Sequence, residues 1–455
     1  MRAVILVLLT LSLSTFTLRA QPQMPPIAWL SDRDGDYDVY VWDGEQTINV
    51  SSNYSADIYI QPSPDGQFAW LSMVNDRSEV FVWDGEQTLN VSNSPSYDYF
   101  PVWSNDGRLA WYTDQSDERG TSLQVAVWDG EQTMLLGREF GWTDSAYFSA
   151  DGGQLSPVWS ADGRLAWLTV GTEGVTRLYV WDSAQVIVVT ELPNRELPYL
   201  KWLPNGDLLW GYINPSNVTS SLWLWDGDQV IPVLESGDGR AEFTVWGNDQ
   251  LAFRLGTHNS SGMYIWTDQG AVRISTENGG FLGRPSGSPQ GQIAWFATSA
   301  EIPSLYVWDG AVIRNLGRAN QLFPGPRWSA DGRLAWNTQT ADGMHIYVWD
   351  GETISDIPPD DNQYDSELMW LPDGRLAWQS GGYSAQELKF WDRGRIGTIT
   401  AGVGPIRDVR VFLAGLVWTQ EIDGNSDVFF WDTTQTFNGS HDPGWDGLTL
   451  VPPMG

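Results

Sequence analysis

Hydrophobic positions in this chain come in short alternating runs, each closed by turn residues. In "SLYVWDG" (304–310), Leu305 and Val307 point to one side of an extended strand and Tyr306 and Trp308 to the other. Both sides are apolar, which predicts a strand covered on both faces. The run recurs with its Trp at 42, 83, 128, 181, 225, 266, 308, 349, 391 and 431, at intervals of 40 to 45 residues and one of 53. A second run precedes the later copies, as in "VWSNDGRLAW" (102–111), "VWSADGRLAW" (158–167), "RWSADGRLAW" (327–336) and "MWLPDGRLAW" (369–378). Each repeat thus predicts four strands: a around "VWS", b as "RLAW", c as "LYVW" and d as in "TLNVS". Asp-Gly pairs between a and b and between c and d are hairpin signals, since two residues at positive φ match the twist of the flanking strands. Between b and c the connection varies in length.

Four-stranded units with a period near 42 and no helical periodicity predict an all-β fold, a β-propeller with the ten Trp-Asp elements marking ten blades. The chain begins its first repeat on strand b, at "PIAWLS" (26–31), so that blade lacks a strand a. The tail "DPGWDGLTLVPP" (442–453) can supply it and close the ring by pairing the two terminal strands, which also removes two exposed edges. Ten units exceed the usual four to eight or so. They form either one ring or two smaller propellers in tandem, and the absence of any linker within residues 21–455 favours one ring.

The Trp-Asp pair also occurs in eukaryotic-type WD repeats, but there it accompanies a Gly-His pair. This chain has only three His and no Gly-His, so the His-centred network of those repeats has no residues to build it. "WSADGRLAW" followed by "LYVWDG", with "SDRDGDYDVYVWD" (31–43) and "PSPDGQFAW" (62–70), instead resembles the TolB-like WD-repeat propellers, the Ser-Pro-Asp-Gly type of bacterial exported proteins. The resemblance covers about residues 26–440. It implies the fold; the family's functions, partner binding and non-catalytic peptidase propellers, are too varied to choose among. The blade count exceeds the six usual for TolB itself, so a TolB role is not implied.

Composition narrows the partners. With 57 acidic against 25 basic residues the net charge is −32, which argues against nucleic acid, because phosphate binding needs clustered Lys and Arg. Residues 1–20 read as a signal peptide, with Arg2, an apolar stretch from Ala3 to about Leu13 and small residues up to Ala20. An uncleaved anchor is the alternative, because Leu18 is not the small residue preferred before a cleavage site. No later stretch has the roughly 20 apolar residues a membrane span needs. Cys is absent, which excludes disulfides, thiolate metal sites and Cys nucleophiles. The expectation is an extracytoplasmic monomer without a transmembrane segment after signal removal.

Candidate chemistry is sparse. The 28 Trp stand mostly at fixed places in the repeat and predict core, with Trp142 and Trp445 the better candidates for exposure. "DRDGDYD" (32–38) resembles a Ca²⁺ loop, with Asp32, Asp34, Asp36 and Asp38 as ligand candidates, but Gly35 stands fourth rather than sixth. A turn is the simpler reading, and no other cofactor is expected. His345 lies within strand c as a packed residue; no nucleophile elbow or zinc run occurs.

In a four-stranded meander the a–b and c–d turns share one end of the blade, and the b–c and d–a connections share the other. The repeated Asp-Gly turns therefore lie on one face and the variable loops on the opposite one, where specificity can reside. The variable loops combine aromatics and carboxylates: Tyr97, Asp98, Tyr99, Trp142, Asp144, Tyr147, Tyr364 and Asp365. Asp57, Asp98 and Asp365 occupy one repeat position, five residues before the strand-a site of Trp103, which predicts carboxylates near the mouth of a central channel. The expected function is a non-enzymatic module binding a protein or glycan through this face. The alternative is a carboxylate-dependent polysaccharide hydrolase or lyase at the channel mouth.

Overall fold

A computed structural model describes residues 25–450, except for stretches between strands that include 137–155, 193–198, 276–284, 319–324, 360–364 and 441–444. The described residues form ten four-stranded antiparallel sheets. In blade 2, Asp57–Pro62, Phe68–Val74, Arg77–Trp83 and Thr88–Asn90 are strands a to d. Strand a begins at Asp98 in blade 3, Asp365 in blade 9 and Ile406 in blade 10. Blade 1 takes strands b, c and d from Ile27–Ser31, Asp38–Trp42 and Thr47–Asn49, and strand a from Asp446–Leu450 at the far end of the chain.

Ten buried clusters fill the ten interfaces between consecutive blades. Trp70 and Trp83 of blade 2 pack on Ala28, Val39 and Val41 of blade 1; Trp111 and Trp128 of blade 3 pack on Ala69, Val80 and Val82 of blade 2. Blades 2 and 3 thus offer large indoles backward onto small alanine and valine side chains of the blade before, the period-2 alternation of strands b and c expressed as shape complementarity. The last cluster joins Phe412, Val417, Val428 and Phe430 of blade 10 to Ile27, Trp29 and Tyr40 of blade 1. The ring is therefore single, ten-bladed and closed, with no second propeller. Trp29, Trp70, Trp111, Trp210, Trp295 and Trp418 are fully buried, each adding on the order of 4–6 kcal/mol of transfer free energy as an upper bound.

Strands a of neighbouring blades lie against one another and make the inner wall. Their Trp side chains bond around the ring: the indole N–H of Trp103 donates to Gln61 O (3.1 Å), that of Trp159 to Val102 O (3.1 Å) and that of Trp202 to Val158 O (2.9 Å).

The repeated turns differ in one detail from the sequence expectation. In the Asp-Gly c–d turns of blades 1 to 3 only the glycine is left-handed, Gly44 at φ 110°, Gly85 at 103° and Gly130 at 102°. The aspartate stays in ordinary conformation and uses its side chain instead: Asp43 Oδ1 accepts from the N–H groups of Glu45 and Gln46, both at 2.9 Å. Carboxylates so bound stay ionised, and Asp43, Asp84 and Asp129 are all held below the usual range by these backbone donors. The closing Thr then reaches back one blade, Thr133 to Val91 O (2.7 Å) and Thr436 to Ile399 O (2.6 Å).

The a–b turn staples forward. Arg108 bonds Asp106 and donates to Gly163 O of the next blade (2.9 Å), with its guanidinium 4.7 Å from the Trp159 ring. Arg164 repeats this with Gly206 O and Trp202, and Arg333 with Gly374 O and Trp370.

Candidate functional site

The equivalent aspartates lie at the start of strand a, as their spacing implies, but they do not face solvent. Asp57 and Asp98 are wholly buried and Asp365 nearly so. Each stands opposite a hydroxyl residue two places after the strand-b Trp: Asp57 pairs with Ser72, Asp98 with Thr113 and Asp365 with Ser380. The Trp111 indole N–H donates to Asp98 Oδ1 at 3.2 Å, and the Ser78 hydroxyl donates to Asp98 O at 2.7 Å. Desolvation dominates the titration of these groups: burial pushes Asp57 and Asp98 each up to about 7, against the pull of nearby Ser, Thr and Trp donors.

Asp446 is a fourth member, at the same position in blade 1, paired with Ser31 and bridged by Arg33 Nη2 at 3.3 Å. The sequence signal for it was the short tail itself, which lacks the strand-a Trp that marks the position elsewhere. A His-free grouping of Asp, Ser or Thr, and Trp thus recurs where strands a and b pair in these blades, with the Trp–Asp hydrogen bond formed in blade 3.

The residue just before each buried aspartate points the other way. Tyr97 precedes Asp98 and is 39% exposed; Trp445 precedes Asp446 and is 47% exposed. Both are clamped alike by an aspartate three places after the strand-b Trp. Tyr97 N–H donates to Asp114 Oδ1 (2.9 Å) and its carbonyl accepts from Asp114 N–H (2.9 Å). Trp445 N–H donates to Asp32 Oδ1 (2.7 Å) and its carbonyl accepts from Asp32 N–H (3.2 Å). Tyr364 holds the same sequence position before Asp365 but lies outside the described residues, as do Trp142, Asp144 and Tyr147. Tyr99, part-buried on strand a, stacks near Tyr97 (6.5 Å between centroids) and beside Phe100 (6.4 Å). Its phenol is pushed up to about 12, first by burial and then by the nearby Asp114.

Trp445 stands over a cleft of about 430 Å³ on the variable-loop face, at the seam where the terminal strand closes the ring. Blade 10 supplies the other walls, including Arg407, Thr419, Glu421, Asn425 and Ser426. No local sequence pattern marks these residues, because they come from two connections of one blade and the tail of another.

Asp32, Asp34 and Asp38 of "DRDGDYD" are engaged in hydrogen bonds. Asp34 accepts from the Tyr40 hydroxyl, Asp38 accepts from Asn49 Nδ2 (2.7 Å) and Asp32 holds Trp445. Among the described residues no group of three or more His, Asp or Glu is placed to hold a metal ion. His345 is buried on strand c between Asp356 (2.7 Å) and Asp342 (3.3 Å), and the Asp356 hydrogen bond raises its pKa.

The sequence matches no protein-family model and no curated protein. Among solved structures, a eukaryotic initiation factor is similar at a TM-score of 0.56 and 13% identity, covering 95% of this chain and 99% of that one. The β-propeller domain of the trilobed protease from Pyrococcus furiosus is similar at 0.37 and 14% identity, over 76% of this chain and 97% of that one. TolB from Acinetobacter baumannii is similar at 0.29 and 17% identity, over 68% of this chain and 79% of that one. At these identities the likeness is one of fold: the chain is a ten-bladed β-propeller.

Proposed function

We propose that the protein is a non-enzymatic, exported binding module that takes a protein or glycan partner on its variable-loop face. The observation that supports this reading is the contrast between the two faces. On the repeated-turn face the Asp, Arg and Thr side chains are engaged within their own turns or with the neighbouring blade. On the opposite face, aromatic side chains are fixed by their backbones yet left half-exposed, beside a polar cleft. Rigid aromatics presented this way are what binding surfaces use, because little side-chain entropy is lost on contact.

Export is supported by the signal-like residues 1–20, which lie outside the described residues. No helix among the described residues is long and apolar enough to cross a membrane. The alternative hydrolase needs carboxylates that reach a polysaccharide, and the buried positions of Asp57 and Asp98 lend it no support.

Capture experiments with residues 21–455 on culture and envelope fractions test the reading. The combined variant Tyr97→Ala, Tyr99→Ala and Trp445→Ala should lose its captured partner. Glu45→Ala, Glu86→Ala and Glu131→Ala, combined on the repeated-turn face, should keep it. The opposite pattern overturns the assignment of the face.

A further inference from the structure

The carbonyl of Trp445 accepts the same backbone hydrogen bond that holds Ala56, Tyr97 and Pro405 at this position of other blades. The Trp445 backbone is clamped by Asp32 from both sides and pairs with Ser426 in an isolated parallel bridge. The Ser426 hydroxyl donates to Asp446 O at 2.9 Å, fixing the next residue as well. Gly447 leaves room for the ring: a Cβ there would overlap the indole. Tyr37 packs against the indole in a T-shaped pair, with centroids 5.7 Å apart and planes at 83°. What remains is a flat indole surface of fixed orientation lining the cleft.

The rest of the lining is polar and planar. Arg407 and Glu421 are both exposed and of opposite charge; Asn425 adds an amide whose Nδ2 donates to Asp427 Oδ1 (2.7 Å), while the Thr419 and Ser426 hydroxyls donate to Arg407 O (3.2 Å) and Asp446 O (2.9 Å). The cleft is therefore locally balanced in charge within a protein of net charge −32. Its volume falls within the range of roughly 300–1,000 Å³ for small-ligand sites, yet its walls are too polar for an apolar ligand.

We propose that this cleft binds a neutral pyranose-based oligosaccharide, with one sugar ring stacked on Trp445 and its hydroxyls bonded by Arg407, Glu421 and Asn425. A pyranose has an apolar C–H face that suits the negative face of an aromatic ring. Its adjacent hydroxyls each donate and accept, which suits side chains offering paired donors or acceptors in a plane. A polyanionic glycan is disfavoured by the field of the whole protein. This deepens the binding reading above and rests on it. It also places the ligand across the joint between the terminal strand and blade 10, so occupancy stabilises ring closure by mass action.

The test is a neutral oligosaccharide array, built on glucose, galactose, mannose and N-acetylglucosamine, probed with residues 21–455 and followed by calorimetric titration of the best binder. Trp445→Ala should weaken binding at least tenfold and abolish the ligand-induced rise in Tm, whereas Trp445→Phe, which keeps a ring, should lose much less. Glu421→Gln, exposed and isosteric, keeps the fold intact and should weaken binding several-fold. A blank array at millimolar sugar, or affinity unchanged in both Trp445→Ala and Glu421→Gln, overturns the proposal. If the array is blank while the face variants still lose their captured partner, the saccharide falls and the binding face stands. If both experiments are negative, both readings fall.

Discussion

At the scale of single residues, the protein uses aspartate in two opposite ways. The turn aspartates are exposed and bound by backbone N–H groups, with Asp309 and Asp350 held down at about 2. The strand-a aspartates are buried and held up, Asp57 and Asp98 at about 7. A depressed carboxyl adds stability that is present above the unfolded value of 3.8 and lost as pH falls towards 2. A raised one adds stability that is full below 3.8 and lost as pH rises through 7. The fold should therefore be most stable at mildly acidic pH, near 4 to 5, and lose on the order of 1.4 kcal/mol per pH unit for each buried group towards neutrality. Urea unfolding across pH 3–8 checks this, and Asp57→Asn with Asp98→Asn should flatten the neutral limb. The position of these residues was legible in the sequence from their common spacing; their burial was not. A carboxylate reads as surface until its partners are known, and those partners, Ser72 and Thr113, sit on the neighbouring strand.

At the scale of elements, strands b, c and d and both turns were legible because period-2 alternation and Asp-Gly pairs are local signals. Strand a was less so, since it carries a bulge that no local pattern announces. Its register with strand b shifts between Ile58 and Gln61, Tyr99 and Val102, Ser366 and Met369, and Arg407 and Arg410. At each shift a non-glycine residue is left-handed: Tyr59 at φ 61°, Phe100 at 53°, Glu367 at 52° and Asp408 at 52°. Blades 5 and 6, which lack the aspartate, run in unbroken register. The extra residue bends the inner strand while its far end still pairs normally; blade 10 carries the same bulge with Ile406 opposite Gln420 in place of the aspartate and hydroxyl pair. A left-handed L-residue costs about 1–2 kcal/mol, against about 0.5–1 kcal/mol for the added freedom of glycine in the unfolded chain. Glu367→Gly should then stabilise the protein by about 0.5–1 kcal/mol in denaturant unfolding, where glycine in an ordinary strand would destabilise it. The recurring Arg after the a–b Asp-Gly was visible in the sequence too. Its role was not, because its contacts are with the following blade.

At the scale of the whole molecule, closure joins residues 413 positions apart in the Arg33–Asp446 bridge, which is almost fully shielded from solvent. Asp446→Ala leaves the guanidinium without its carboxylate and should cost about 3–5 kcal/mol. Unfolding should lose cooperativity first at the seam, with early hydrogen exchange in Ile27–Ser31, while the opposite blades stay protected. The ring itself could be foreseen from a first blade missing one strand and a tail able to supply it. The cleft beside the seam could not, since its walls meet only when the ring closes. The same closure gives the molecule a monotonous face and a variable one, and the claim that function belongs to the variable face is the centre of this account. Hydrogen-exchange footprinting of residues 21–455 with and without its oligosaccharide tests it directly. Protection is expected at Glu421–Ser426 and Trp445–Gly447, with none at the turns Asp43–Gln46, Asp84–Gln87 and Asp129–Gln132. Protection at those turns, with the seam unchanged, would contradict it.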